Sequence, residues 1–223
     1  MTYKYIYLSH EISDTTPTYG NRDHFSKQYN TSIANGDTAN SCKLFFSTNH
    51  LGTHIDLPFH FYENGKKLDK FEPESWFYNS VSLVDFPCNS AKIIAAKDLQ
   101  SFTLAPETEI LLIRTGFERF RHIDRYWKSN PGIHPDVAFY LRDKYPHLRT
   151  IGFDFISLTS YENRPLGKEA HQAFLGFNEN YITVVEDMSL KNVQAPIKKI
   201  IIAPLLIGGI DSSPVTAIAK IAV

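Results

Sequence analysis

Residues 50–60 read HLGTHIDLPFH and place three histidines and an aspartate in eleven residues, although the whole chain has only nine histidines. A helix is disfavoured here because Pro58 would clash with the carbonyl group of residue 54 and Gly52 is a poor helix former. Alternation fits better, since the odd positions are mostly apolar and the even positions are His50, Gly52, His54, Asp56, Pro58 and His60. The segment therefore predicts a strand with polar chemistry on one face and core packing on the other.

The spacing within this strand also predicts two bends. His54 and Asp56 would lie roughly 7 Å apart, close enough to share a metal ion with ligand bonds of about 2.0–2.2 Å. On a straight strand, His50 and His60 would each lie about 13 Å from the nearer of that pair. We expect the chain to turn at Gly52 and Pro58. Separate histidines, each with its own hydrogen bonds, are the alternative, but four ligand-type residues in this pattern favour a divalent-metal site.

The composition argues against several classes of partner. Lysine and arginine number 23 against 24 aspartates and glutamates, and no long basic run is present, so nucleic acid is not an expected partner. The sequence shows no export signal and no apolar run long enough to span a bilayer, which predicts a cytoplasmic protein without a membrane partner. Cys42 and Cys88 fit neither a disulfide framework nor a CxxC metal site and are predicted to be reduced, buried structural thiols.

Short β-rich segments alternate with two helical segments, with no internal repeat or linker between them. Strands are predicted at 3–9, 43–48, 54–61, 80–86, 92–96, 109–115, 150–155, 181–186 and 198–207. Helices are predicted at 134–145, with a proline near the first turn, and at 167–176, ending at a glycine. This pattern predicts one domain over residues 1–223, of α/β or α+β class and built around more than one sheet.

HLGTHIDLPFH resembles the HxGTHxDxPxH signature of the cyclase-like metal-dependent hydrolases, whose members include bacterial kynurenine formamidases (arylformamidases) and isatin hydrolases. The resemblance covers most of the chain. Five further segments follow in the family's order, namely ILLIRTGFERF, IGFDFISL, GKEAHQAFLG, VVEDMSL and APLLIGGIDSSPVTAIA. It implies an α/β fold of three β/β/α layers, the swivelling-domain type, with mixed sheets and a few peripheral helices.

The resemblance also implies roles for individual residues. A first metal site would use His50, His54 and Asp56, and His60 would be the catalytic acid/base. A second metal site would use His171, and Glu186 would bridge both metals together with Asp56. The local sequence supports the last two, because His171 shares a helix face with apolar residues and Glu186 ends the strand YITVV. A core histidine and a salt-bridged strand end are the alternatives.

The expected chemistry is hydrolysis of an amide in a small aromatic substrate, by a metal-activated hydroxide with His60 moving the proton. One or two divalent ions are expected, with zinc the first candidate and manganese the second. N-formylkynurenine is the default substrate, giving formate and an arylamine. Ring opening of isatin or another cyclic amide is the alternative, as is a non-catalytic metal-binding protein on the same fold. The resemblance further implies a homodimer.

Three departures from the formamidase pattern bear on the substrate. Tyr19 lies near the position of a substrate-stacking tryptophan, and the proline usually next to it is missing. The segment between His171 and Glu186 is longer than in formamidases. Ser212 and Thr216 replace a common glycine and arginine. The metal ligands are intact, so the departures affect the choice of substrate and not the metal chemistry.

Overall fold

The computed structural model describes residues 2–176 and 180–222. The strands in this part are β1 (Tyr3–Tyr7), β2 (Phe25–Thr31), β3 (Ser41–Phe46), β4 (His54–Asp56), β5 (Phe77–Tyr78), β6 (Val81–Asp85), β7 (Ile93–Ile94), β8 (Ile110–Arg114), β9 (Gly132–Ile133), β10 (Thr150–Phe153), β11 (Thr183–Glu186), β12 (Ile197–Pro204) and β13 (Ser212–Ala222). The helices are α1 (Ala96–Leu99), α2 (Arg125–Lys128), α3 (Asp136–Lys144) and α4 (Arg164–Leu175).

Nine strands form one large mixed sheet in the order β5-β12-β13-β4-β11-β10-β8-β6, with β1 added along β13. The strands β6, β8, β10 and β11 run parallel, whereas β4 is antiparallel to both of its neighbours, β11 and β13. Two short pairs, β2 with β3 and β7 with β9, complete the strand pairing of the described residues. The predicted α/β class with mixed sheets and few helices is confirmed.

The strand β4 lies in the middle of this sheet, and its alternation matches the prediction. Leu51, Ile55 and Leu57 are fully buried, and Ile55 and Leu57 pack in a core cluster with residues of β12 and β13. The intervening His54 and Asp56 point to the other side of the strand. A strand paired on both edges and packed on its apolar face is held firmly, which fixes the directions of those two side chains.

The structure corrects the predicted strand at 54–61. The strand ends at Asp56, and Pro58–His60 form a 3-10 turn with Pro58 in its first position. Proline has no backbone N–H group and cannot continue the hydrogen-bond ladder of a central strand, whereas it suits the start of a helical turn. His60 therefore belongs to a turn and not to a strand.

Several further elements differ from the prediction, among them the unpredicted strand β2, and two of them, β13 and α4, bear on the site. The eleven-residue strand β13 is not predicted, because Pro214 and several alanines obscure its alternating pattern. The helix α4 begins at Arg164, three residues before the predicted Gly167. Asn163 caps it by accepting a hydrogen bond from the backbone N–H of Leu166 at 3.4 Å, and a proline lies in its first turn.

The two cysteines are free, as predicted, but Cys42 is exposed on β3 and not buried. Cys88 is partly buried, and burial raises the pKa of its thiol to about 12. Neither cysteine belongs to the site described below. Among the described residues, no helix combines the length and the apolar character needed to cross a bilayer.

Candidate metal centre

The two predicted bends are present on either side of β4. Gly52 has a φ of 61°, in the left-handed region where a side chain is strained, and it turns the chain so that His50 Nδ1 lies 3.0 Å from Asp56 Oδ1. The turn that starts at Pro58 brings the ring of His60 to within 4.4 Å of the ring of His50, centroid to centroid. One eleven-residue segment thus gathers its three histidines and its aspartate on one side.

Strand register adds a carboxylate to this group. Glu186, at the end of β11, is paired directly opposite His54, and His54 Nε2 lies 3.4 Å from Glu186 Oε2 and 3.6 Å from Asp56 Oδ1. Residues directly opposite in an antiparallel pair point to the same face. Two buried carboxylates therefore flank one buried imidazole.

The helix α4 supplies a second imidazole from the other side. His171 Nε2 lies 3.5 Å from Asp56 Oδ2 and 3.5 Å from Glu186 Oε1. The side chains of His171, Asp56 and Glu186 are each at most 6% exposed. The inward direction predicted for His171 and the predicted proximity of Glu186 to Asp56 are both present in the structure.

Hydrogen bonds to backbone carbonyls determine which ring nitrogen carries the proton in His54 and His171. His54 Nδ1 donates to the carbonyl of Gly52 at 2.8 Å, and His171 Nδ1 donates to the carbonyl of Gly167 at 2.9 Å. A carbonyl only accepts, so each Nδ1 carries a proton and each Nε2 is directed at the carboxylates. This arrangement is typical of histidines that ligate a metal through Nε2.

The centre contains buried polar atoms that a cation would satisfy. Within the described residues, His54 Nε2 and Asp56 Oδ1 are buried and make no hydrogen bond of good geometry, although other members of the cluster lie 3.0 to 3.6 Å from them. Unsatisfied buried polar atoms are rare in folded proteins and often indicate an ion. Imidazole nitrogens together with carboxylate oxygens are ligands suited to divalent zinc or manganese.

The pKa values of the histidines in the cluster also indicate a cation site. Burial disfavours the charged form of His171, but Asp56 and Glu186 outweigh burial and raise the pKa of its imidazole to about 10. Burial likewise opposes the charged form of His50, and Asp56 and Asp211 raise the pKa of that ring to about 10. The carboxylates therefore strongly favour positive charge between them, and a divalent cation supplies such charge in place of protons.

Backbone and side-chain donors hold Glu186 in place. Glu186 Oε1 accepts hydrogen bonds from the backbone N–H of Leu158 at 2.7 Å and from the hydroxyl of Ser157 at 3.2 Å. The next residue, Asp187, has a φ of 53° and pairs with the buried guanidinium of Arg121 at 2.8 Å. These contacts fix the end of β11, so the Glu186 carboxylate is pre-oriented toward the centre.

Asp211 is a site residue that sequence reasoning missed. Its Oδ2 atom lies 2.6 Å from His60 Nδ1 and 3.2 Å from His50 Nε2, while Asn49 Nδ2 donates to its Oδ1 at 2.7 Å. Burial would raise the pKa of Asp211, but hydrogen bonds from His50 and His60 outweigh burial and hold it well below its usual range. An aspartate directly before the first residue of β13 was the available signal, but nothing in the local sequence paired it with His60.

His60 lies at the rim of the centre with its side chain 27% exposed. Ligand-type atoms of Asp56, His60 and His171 lie within 4.8 Å of one another, as do those of His50, His54 and Asp56. The position of His60 is compatible with proton transfer and also with ligation. Its role as the acid/base therefore remains a prediction.

We expect Asp211→Asn to lower kcat by about 10- to 100-fold while the protein keeps its metal, because an orienting carboxylate is lost and the ligands stay. Steady-state kinetics and metal analysis on the same preparation measure both quantities. Asp69→Asn is the matched control, since Asp69 accepts a hydrogen bond from the backbone of Gly209 in the same loop but lies outside the centre. An unchanged kcat in Asp211→Asn would show that Asp211 does not orient His60 for catalysis.

The centre opens into a cavity of about 460 Å³. Tyr19 lines it, with its ring 5.5 Å from that of Tyr161 and its buried hydroxyl without a hydrogen-bond partner in the described part of the chain. Three cationic side chains also line the cavity and are not singled out by the sequence, namely Arg22, Arg164 and Lys168. Ser212 is buried beside Asp56 on β13, whereas Thr216 is exposed and lies outside this cavity.

Residues of the HxGTHxDxPxH segment thus meet Glu186 of β11 and His171 of α4 in one buried cluster on a mixed sheet, as expected for a cyclase-like metal-dependent hydrolase. Residues 6–159 match the family model described as "Putative cyclase". The chain therefore belongs to the cyclase family.

Similar proteins agree with this assignment. The chain is 28% identical over 219 residues to a kynurenine formamidase of Bacillus cereus and 29% identical over 225 residues to one of Bacillus thuringiensis subsp. konkukian, with 98% of each chain covered. Isatin hydrolase A from Labrenzia aggregata, solved bound to benzyl benzoate, has a similar fold. Its TM-score is 0.82 at 18% identity, and the match covers 98% of this chain and 94% of that one.

Proposed function

We propose that this protein hydrolyses an amide bond of a small aromatic substrate and that N-formylkynurenine is the first substrate to test. As a member of the cyclase family with formamidase relatives, it is a metal-dependent amide hydrolase. The observation that carries the proposal is the convergence of two Nε2 atoms and two carboxylates, those of His54, His171, Asp56 and Glu186, at the floor of one cavity.

The ligands of the metal would be His50, His54, Asp56, His171 and Glu186. Zinc is the first candidate and manganese the second, with one or two ions per chain. A bound divalent cation polarises a carbonyl oxygen and lowers the pKa of a bound water toward neutrality. The carboxylates of Asp56 and Glu186 each lie near both buried histidines, so they would be the ligands common to two ions if two were bound.

The residues of the chain would then move the proton. Water adds to the amide carbonyl carbon, His60 takes a proton from the water and delivers it to the leaving nitrogen, and the C–N bond breaks. Asp211 holds the ring of His60 through Nδ1, which leaves Nε2 to make the transfer. With N-formylkynurenine the products are formate and kynurenine.

Two functions are alternatives to the hydrolysis of N-formylkynurenine. Isatin-type ring opening is favoured by Tyr19 in place of a tryptophan and by the fold shared with isatin hydrolase A. A non-catalytic metal-binding protein would bind metal and turn over nothing. Absorbance assays with N-formylkynurenine and with isatin separate the two hydrolases, and a protein that binds metal but is inactive on a broad panel of amides and lactams would support the third function.

Removal of the metal is expected to abolish turnover and its return to restore it. We expect dialysis against a chelator to lower activity by at least about a hundredfold, because cation activation of water supplies much of the rate. Zinc and manganese added separately show which ion restores activity. Circular dichroism before and after chelation serves as the control for folding, and full activity in a folded, metal-free sample would contradict the proposal.

A homodimer is also proposed. The hairpin of β2 and β3 exposes large apolar side chains, among them Tyr29, Leu44 and Phe45, and Tyr5 and Tyr7 are exposed on β1. Contiguous exposed apolar surface of this kind commonly marks an interface. Light scattering coupled to size exclusion measures the mass, and a species with the mass of a single chain at micromolar concentration would contradict the dimer.

A further inference from the structure

The helix α4 presents three basic side chains on one face. Arg164, Lys168 and His171 are spaced by four and then three residues, which places them on the same side of an α-helix. All three line the cavity above the metal centre. At 1.5 Å per residue, Lys168 lies about 4.5 Å and Arg164 about 10 Å along the helix from His171.

The two cations on this face have no anionic partner. Within the described residues, Lys168 and Arg164 form no ion pair, although both are exposed toward the cavity. The guanidinium of Arg164 lies 4.1 Å from the centre of the Tyr161 ring, which is a cation–π contact, and its charge also acts on the nearby Tyr19; neither ring is an anion that would neutralise it. Their positive charge is therefore uncompensated at the mouth of the cavity.

The remaining charged groups at the mouth do not cancel this charge. Arg22 adds a third cation. Asp23 is the one carboxylate there outside the metal centre, and it accepts a hydrogen bond from the hydroxyl of Ser47 at 3.2 Å. Among the described residues that line the cavity above the centre, three cations thus face one anion, and the field favours an anionic group on the ligand.

The walls between the centre and these cations suit a flat ring. Phe61 stacks on His171 with ring centroids 5.0 Å apart and an interplanar angle of 16°. Tyr19, Pro17 and Ile156 line the same cavity. A substrate with its scissile amide at the centre would place its ring against Phe61 or Tyr19 and extend its far end toward Lys168 and Arg164.

We propose that Lys168 and Arg164 form a carboxylate-binding subsite, so that the substrate is an aromatic amide bearing a free carboxylate one to two helical turns from the scissile bond. The planar guanidinium of Arg164 can bind a carboxylate through two parallel hydrogen bonds, and Lys168 adds a mobile charge. The inference rests on the proposed amide hydrolysis. It favours N-formylkynurenine, which carries such a carboxylate, over isatin, which has none.

The test compares a substrate that bears a carboxylate with one that does not. N-formylkynurenine carries the carboxylate, whereas N-(2-acetylphenyl)formamide keeps the formanilide and the ketone but is uncharged. We expect Lys168→Gln and Arg164→Gln each to lower kcat/KM for the acid by about 10- to 100-fold and to change that for the neutral amide by less than about twofold. Lys144→Gln on α3 removes the same charge outside the cavity and is the matched control.

Equal losses on both substrates, or no loss on the acid, would overturn the subsite. A binding measurement keeps this result distinct from the proposed reaction. Calorimetry on the metal-loaded protein compares kynurenine with 2-aminoacetophenone, which lacks the carboxylate. If the wild-type protein turns over neither formanilide but binds kynurenine in a Lys168-dependent manner, the hydrolysis is wrong and the subsite stands. Kynurenine binding unaffected by Lys168→Gln, or no binding at all, would overturn the subsite.

Discussion

Replacing His54 with alanine is expected to remove both the metal and the activity. His54 Nε2 faces Asp56 and Glu186 at 3.6 and 3.4 Å, and its Nδ1 is held by the Gly52 carbonyl, so the ring directs Nε2 at both buried carboxylates. Loss of a direct ligand should exceed the about 10- to 100-fold loss of metal affinity that follows from loss of a supporting hydrogen bond. Metal analysis after dialysis and an assay of the same sample measure the two effects.

The control for this experiment is His147→Ala, which removes an exposed histidine outside the candidate metal centre. It should keep both metal and activity. A folded His54→Ala protein that binds metal with wild-type affinity would show that His54 is not a ligand, and the metal centre proposed here would be wrong.

His60→Ala is expected to keep the metal and lose turnover. General acid–base catalysis contributes about 10²- to 10⁴-fold, so kcat should fall by that order while metal content stays at the wild-type level. His60 sits at the rim with its Nδ1 held by Asp211, which suits proton transfer to a substrate in the cavity. Single-turnover kinetics and metal analysis on one preparation separate catalysis from ligation.

Two outcomes would change the assignment of His60. Loss of metal in His60→Ala would make it a ligand, which its proximity to Asp56 and His171 permits. Undiminished activity would remove it from the mechanism. Asp211→Asn in the His60→Ala background gives a further check, because a residue that acts only through His60 should cause no additional loss of kcat there.

The sequence by itself determined the shape of the segment from His50 to His60. Alternation with a period of two put His54 and Asp56 on one face and Ile55 and Leu57 on the other, as the structure has them. The bends at Gly52 and Pro58 were also predictable, because glycine tolerates a positive φ and proline cannot extend a central strand. These are local properties, fixed by residues within a few positions of each other.

Only the tertiary structure decided which residues from distant parts of the sequence contact the segment from His50 to His60. Glu186 faces His54 because β11 pairs with β4 in one register, and Asp211 reaches His60 because the unpredicted strand β13 begins beside β4. A shift of one residue would turn either strand's side chains to the opposite face. Register between strands so far apart in sequence is set by packing across the whole sheet. The cationic face of α4 depends likewise on how that helix docks over the centre.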